Sequence, residues 1–426
     1  MKKYESLYDS IKSSILNGYL KKGDKLDSIR RACKKYNVSK TTVETAYEKL
    51  LMDGYVESVE KVGFIVCMDQ SQISLHQSIS NYTYTHIKES YTYDFRLSSV
   101  SFDSFEMDIW KRYMKNILND KEIMSSYGLS QGEYELRQAL CKYVYENRNV
   151  LTIPENIVVG SNYQSLLYIF CGMLDKRNVI GVSEFVDEEA LQVFVSYGFK
   201  VIKLRVDYFV EDIIKNEVSA LYVNTTCFTA DKKSMSIDLR NQLIEMKSLL
   251  ILEDDYNGEL VYASKMKPCM YSKCDHCIYI SSFSRLLLPS LRIGYMILNE
   301  EFKKKYQRMN FGPTTSKIEQ LAFSQYIVDG YLQKHVRKLI REYSLKHKLM
   351  KELLEKYVSY PFYLNEAYMA YCFQYKGDIH KLKELCSSND VGISIDGNVV
   401  SISFASISKE MMEPGLIRLA QICKEC

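Results

Sequence analysis

Seven short apolar runs, spaced by helix-patterned stretches, restrict the fold of this 426-residue chain more than any other feature. They lie at 157–159, 179–182, 200–204, 220–223, 249–252, 278–280 and 292–298, and each reads as a buried strand. Helix-like stretches separate most of them, so the pattern predicts an α/β domain: a largely parallel sheet with helices on both faces. A long charged helical segment over 331–355, followed by strands at 370–374 and 399–404, predicts a smaller C-terminal lobe.

The first seventy residues follow a different rule. Leu7, Ile11 and Ile15 recur every fourth position and predict an amphipathic helix that ends near Gly18. After a turn at Gly23-Asp24, Ser28 can cap a short helix over 29–36, with Ile29, Ala32 and Cys33 on one face. Asn37-Val38 breaks it and Ser39 caps a third helix. Val43, Ala46, Tyr47, Leu50 and Leu51 form the apolar stripe of that helix, which Asp53-Gly54 stops. Strand-like pieces at 55–59 and 64–67 flank a turn at 60–63. Three helices and a two-stranded wing make a winged helix-turn-helix (α+β), whose third helix would enter the major groove of double-stranded DNA by its N-terminal end. Ser39, Lys40, Thr41 and Thr42 occupy that end, where side chains and backbone N–H groups meet phosphate and base edges. Arg30 on the preceding helix can reach the DNA backbone, and Lys61 stands at the wing tip.

Charge agrees with that placement. Of the net +3, residues 1–68 hold 13 Lys/Arg against 9 Asp/Glu, whereas the remainder holds 43 against 44. The basic surplus therefore sits wholly in the segment that would face a polyanion. Residues 69–91 are polar, rich in Ser, Gln, Thr and Tyr, and lack a helical period. They read as a linker, which sets the expected domains at 1–68 and 92–426. The N-terminus is too polar for a signal peptide and no apolar run reaches membrane-spanning length, so a cytoplasmic protein with no membrane partner is expected. Twelve scattered cysteines suit a reducing compartment. The pairs Cys274/Cys277 and Cys423/Cys426 lie far apart in the chain and lack the usual knuckle glycines, so they read as free thiols rather than a zinc site. No metal site is expected.

The string GDKLDSIRRACKKYNVSKTTVETAYEKLLMDGYVESVEKVGFIV resembles the winged helix of GntR-type regulators. Asp27 stands where that family usually has Pro, and Glu60-Lys61-Val62-Gly63 replaces its usual Gly-Ser-Gly-Thr wing tip. Further on, SSYGLSQGEYELRQALCKYV, LLILEDDYNGELVY and YISSFSRLLLPSLRIGY resemble, in order, three elements of the fold-type I aminotransferase domain of MocR-type regulators. Those regulators carry a GntR-type winged helix in front.

The resemblance implies roles for particular residues. In the family a Lys forms a Schiff base with pyridoxal phosphate, an Asp pairs with the pyridine nitrogen, a Tyr bonds the phenolic oxygen, and an Arg with hydroxyls grips the phosphate. By resemblance Asp254 and Tyr256 are the ring-holding pair, and Ser282 and Arg292 are phosphate ligands. Ser161 and Asn162, after Gly160, lie at a strand-to-helix turn whose backbone N–H groups would face phosphate. Tyr127 matches a tyrosine that reaches the phosphate of the neighbouring subunit. The lysine position itself falls on Arg285, whose guanidinium has no free amine lone pair at physiological pH. The family's Pro-Thr-Gly turn falls on Ala230-Asp231-Lys232, and its substrate-carboxylate arginine falls on Ser401.

Taken together, the resemblance implies a homodimeric DNA-binding regulator whose aminotransferase-like domain has lost its chemistry and senses a small-molecule effector. The expected ligand is pyridoxal or pyridoxamine phosphate held without a covalent bond, or another anion drawn to Arg285 and Arg292. Two other readings stay open: an active pyridoxal-phosphate enzyme with a displaced lysine, and a regulator whose large domain only dimerises.

Overall fold

The computed structural model describes residues 3–68, 90–97, 105–231, 233–288 and 290–425. Most of the segment read as a linker lies outside them, as do Lys232 and Cys426. The chain divides into two compact units, residues 1–89 and 90–426.

In the first unit, helices α1 (Lys3–Leu16), α2 (Ile29–Tyr36) and α3 (Lys40–Met52) precede strands β1 (Val56–Val59) and β2 (Gly63–Val66), which pair antiparallel. The four-residue recurrence in α1 buries Leu7, Ile11 and Ile15 in one cluster with Val43, Ala46, Tyr47 and Leu50 of α3. Leu51, read as part of that stripe, is instead 39% exposed. Eight positions beyond Val43, it lies about 80° round the helix, past the edge of the buried face. Ser28 and Ser39 cap α2 and α3: their hydroxyls accept from the N–H of Arg31 at 3.4 Å and of Thr42 at 3.2 Å. Between the helices Asn37 adopts the left-handed conformation (φ 52°) that ends α2, one of the few side chains that does so at low cost.

The second unit begins with β3 (Tyr93–Asp94) and is built on a seven-stranded sheet. Its strands are β4 (Ile157–Gly160), β5 (Val179–Ser183), β6 (Lys200–Leu204), β7 (Ala220–Asn224), β8 (Leu250–Asp254), β9 (Cys277–Ser282) and β10 (Gly294–Ile297). They lie in the order β4-β10-β9-β8-β7-β5-β6. Strands β6, β5, β7, β8 and β9 pair in parallel, while β10 runs antiparallel to both β9 and β4. Every apolar run becomes a strand, but the expected parallel sheet contains one reversed member. The reason is the connection: the described residues of 283–293 hold no crossover helix, and parallel neighbours need a link of about a dozen residues or more. Successive side chains feed opposite faces. Ile157 and Val159 join a core with Tyr143, Tyr279 and Tyr295, whereas Val158 joins another with Leu166, Ile278 and Ile280.

A C-terminal lobe follows the long helix Tyr331–Tyr357. It comprises β11 (Phe362–Asn365), β12 (Ala370–Gln374), β13 (Val391–Gly392), β14 (Ser394–Asp396) and β15 (Val399–Ser403). Four of these form an antiparallel sheet in the order β11-β12-β15-β14, and β13 pairs in parallel with β3. Backbone bonds from Tyr93 to Asp390, from Phe95 to Gly392 and from Ser403 to Phe95 extend that junction.

Three consecutive acids close β8. Because side chains alternate along a strand, Glu253 and Asp255 turn to one face and Asp254 to the other. Arg148, the last residue of helix Tyr134–Arg148, grips Asp255 with two hydrogen bonds, Nε to Oδ2 at 2.6 Å and Nη2 to Oδ1 at 2.9 Å. Tyr279 donates to the same carboxylate at 2.7 Å, and Arg148 also donates to the carbonyls of Gly258 and Lys267 at 3.2 Å each. Arg240 stands 3.4 Å from Glu253. The Gly132-x-x-x-Leu136-Arg137 element is structural too. Gly132 takes φ 98°, and Arg137 donates to the carbonyls of Gly132 at 2.9 Å and Pro154 at 2.7 Å.

Cys274 and Cys277, expected as free thiols, are joined in a disulfide. The tight turn before β9 brings their Cα atoms to 5.4 Å, within bridging range. No described helix is long and apolar enough to cross a membrane.

Removing Arg148 would leave Asp255 charged and buried without its partner. Arg148→Ala is therefore expected to lower the unfolding free energy by about 3–5 kcal/mol in denaturant titration. A loss below about 1 kcal/mol, the worth of an exposed pair, would show that Asp255 is not held this way.

Candidate functional site

Strands β7, β8 and β9 end side by side, with Asn224 in register with Asp254 and Asp254 with Ile280. A cleft of about 330 Å³ opens beyond these carboxyl ends, where ligands of open α/β sheets commonly bind. Asp254, Tyr256 and Ser282 line it, together with Asn224, Tyr163, Tyr368 and the acidic turn Asp187-Glu188-Glu189. Asp254 is only 6% exposed. Its Oδ2 accepts from the hydroxyl of Tyr222 at 2.6 Å and from the amide of Asn224 at 3.5 Å. Burial pushes its carboxyl from the ordinary 3.8 up to about 7, the negative charges of Asp187, Asp255 and Glu253 push the same way, and the Tyr222 hydrogen bond opposes them.

Arg285 is tied to the same wall. Its Nε donates to the Tyr256 hydroxyl at 3.0 Å, and its guanidinium carbon lies 5.2 Å from the centre of the Tyr368 ring. Its Nη1 is buried and has no hydrogen-bond partner among the described residues. Burial raises the pKa of Tyr256, and the nearby guanidinium pulls it back.

In the first unit the predicted DNA-facing residues lie on the surface. Lys40 is 75% exposed and reaches Glu44 at 3.4 Å, one turn along α3. Ser39 shares hydrogen bonds with the hydroxyls of Thr41 at 3.0 Å and Thr42 at 2.8 Å. Arg30 is exposed on α2, and Lys61 is exposed at the wing tip with φ 63°. The Lys40–Thr42 turn therefore presents a cation, hydroxyls and a helix N-terminus together, the groups that meet phosphates and base edges.

Residues 3–66 match the family described as bacterial regulatory proteins of the gntR family, and residues 96–377 match aminotransferase class I and II. The chain belongs to the MocR-type regulators. These are DNA-binding transcription regulators with an aminotransferase-like domain. Among its relatives is the uncharacterized HTH-type transcriptional regulator YdeL of Bacillus subtilis, 29% identical over 83% of this chain and 79% of that protein. A protein described as the "Probable rhizopine catabolism regulatory protein MocR" of Rhizobium meliloti is 25% identical over 84% and 78%. Solved structures share the fold of the body. An archaeal alanine:glyoxylate aminotransferase superposes with a TM-score of 0.67 at 22% identity, covering 78% of this chain and 91% of that one. Kynurenine aminotransferase of Pyrococcus horikoshii gives 0.65 at 20%, covering 84% and 95%.

The structure brings some of the regulator's predicted ligand residues together and leaves others apart. Asp254, Tyr256 and Ser282 share the cleft, and Arg285 contacts its wall. Ser161 and Asn162 stand at the turn into helix Tyr163–Met173, whose first residue lines the cleft. Asn162 spends its side chain on capping that helix, accepting from Ser165 N–H at 2.8 Å. Arg292 does not join them: its side chain is exposed and does not line the cleft. Tyr127 is 98% exposed, and Ser401 is buried on β15 beside Cys372 at 3.2 Å. Four lining features had no place in the sequence reading: Asn224, Tyr163, Tyr368 and the acidic turn. The sequence carries a signal for two of them. Asn224 follows an apolar run directly, and Asp187-Glu188-Glu189 follows another after four residues.

Folds of this type typically hold pyridoxal or pyridoxamine phosphate. Here the ring end offers suitable groups, the Asp254 carboxyl and the Tyr256 hydroxyl. The phosphate end does not. Four carboxylates and no Lys or Arg line the cleft. As a set, these residues do not fit the phosphorylated cofactor.

The raised Asp254 pKa makes stability pH-dependent in a definite direction. The folded chain keeps a proton that the unfolded chain loses near 3.8, so this contribution is fully present below that value. It is lost as pH rises through about 7. Thermal unfolding between about pH 4 and about pH 8 should therefore show the wild type losing stability relative to Asp254→Asn. Parallel curves would show that burial does not hold the proton on Asp254.

Proposed function

We propose that this regulator, acting in the cytoplasm, reads DNA with Arg30, Ser39, Lys40, Thr41, Thr42 and Lys61. Its body then senses a small effector in the cleft at Asp254, without transamination. In this reading residues 1–68 are the DNA-binding head, 69–91 the linker and 92–426 the effector-binding and dimerising body. Two chains pair so that two winged helices meet spaced half-sites. Occupancy of the cleft biases the arrangement of the heads, which requires a ligand that prefers one arrangement over the other.

One observation carries the loss of chemistry. Arg285 stands in the segment whose family counterpart bears the reactive lysine, and its guanidinium is spent on Tyr256 and the Tyr368 ring. A permanently protonated guanidinium neither attacks an aldehyde nor takes up a proton as a neutral base. What remains at the site is orientation. Asp254 and Asn224 present polar groups at the strand ends, Tyr256 and Tyr368 supply flat walls, and Ser282 adds a hydroxyl. Such a set binds and orients a ligand by hydrogen bonds and ring contacts alone.

Two measurements test the reading. Incubation with pyridoxal phosphate and borohydride should leave no pyridoxyl group on any lysine by mass spectrometry, and no keto acid should form from added amino acids. A modified lysine at the cleft, or keto-acid formation, would return the chain to the enzymes. For the head, Lys40→Ala should weaken DNA binding and reduce the slope of log affinity against log salt by about 1. Unchanged affinity would remove α3 as the reading helix.

A further inference from the structure

We infer that the cleft at the ends of β7, β8 and β9 selects a small organic cation, an ammonium group on a flat body, over any phosphate-bearing ligand. This inference rests on the reading of the cleft as an effector site and names the chemistry of that effector.

The first support is charge. Asp187, Glu188, Glu189 and Asp254 line the cleft with no cationic side chain among them. Arg292, the cation that the family pattern would set against a phosphate, is exposed and outside the lining. A cation entering here meets the carboxylates of the acidic turn, whereas the guanidinium on the wall, Arg285, is engaged by Tyr256 and the Tyr368 ring.

The second support is a carboxylate oxygen whose hydrogen-bonding capacity is unspent. Both hydrogen bonds to Asp254 reach Oδ2. Its Oδ1 has no hydrogen-bond partner among the described residues, although the residue is 94% buried and lines the cleft. A carboxylate oxygen free to accept suits an ammonium, which brings three donors.

Aromatic walls give the third support. The rings of Tyr163, Tyr256 and Tyr368 line the same space, and ring faces attract cations. The Tyr368 ring already takes one, since the Arg285 guanidinium lies over it. The acidic turn also begins helix Glu188–Ser196, where carboxylates favour the helix dipole. That role does not account for its orientation: Asp187 makes no side-chain cap bond, and Glu189 accepts from the Tyr163 hydroxyl at 2.7 Å in the cleft wall.

The test compares pyridoxamine with pyridoxamine phosphate, which share a ring and an amine and differ only in the phosphate. Calorimetry on the full chain at matched pH and salt should show pyridoxamine binding at least roughly tenfold more tightly, with no heat from inorganic phosphate. Asp187→Asn, at an exposed position, should weaken pyridoxamine several-fold and narrow the ratio. Equal or tighter binding of the phosphate ester, no binding of pyridoxamine, or a ratio untouched by Asp187→Asn would each overturn the inference. DNA affinity measured with and without pyridoxamine separates this from the sensing role. Binding with no change in DNA affinity would count against sensing and leave the cation preference standing.

Discussion

The ion pair between Arg148 and Asp255 is the constraint on which the body of this protein depends. Both groups are almost wholly withdrawn from water, so each is tolerable only because the other is present. The pair joins the end of a helix to the end of a central strand, and Tyr279 on the next strand donates to the same carboxylate. Once Asp255 is fixed to that face, the pleat dictates where its neighbours go. Glu253 meets Arg240, and Asp254 is left on the cleft side. Gly258, whose carbonyl Arg148 also holds, has no room for a side chain: an added Cβ would fall 2.3 Å from Asp255. The cleft is thus aimed by an interaction that lies outside its own lining.

Against this rigid frame the chemical identity of the site turns on a few side chains. Arg285 sets a planar guanidinium, its charge spread over the fork, against the cleft wall. It serves the wall by bonding Tyr256 and covering Tyr368. The acidic turn after β5 gives the cleft a sign opposite to that expected from Arg285 and Arg292. An aminotransferase-like frame therefore carries a cleft rimmed by carboxylates.

Much of the fold was legible in the sequence because it rests on periodicity. The seven apolar runs became the seven strands of the large sheet, and the capping serines opened α2 and α3 where the polar-to-apolar change placed them. What escaped depends on the geometry of connections that carry no periodicity. The reversal of β10 follows from a connection without a helix, and the Cys274–Cys277 bridge from a turn that local pattern does not reveal. In the cleft, the motif-bound residues Asp254, Tyr256 and Ser282 were readable. Tyr163 and Tyr368 were not, because a tyrosine in a chain with 35 of them carries no signal until the fold sets it beside an aspartate.

The short pair of β3 with β13 has a mechanical consequence. Residues 93–97 are bonded to residues 390–403 of the C-terminal lobe. The first strand of the body is thus stitched to the smaller of its two parts. Tyr368, which walls the cleft, belongs to that part as well, and Ser403 ties its loop to β15 through the carbonyl of Met369 at 3.1 Å. Cleft wall and first strand therefore ride on one piece of structure, so any tilt of the lobe carries both through the same rotation.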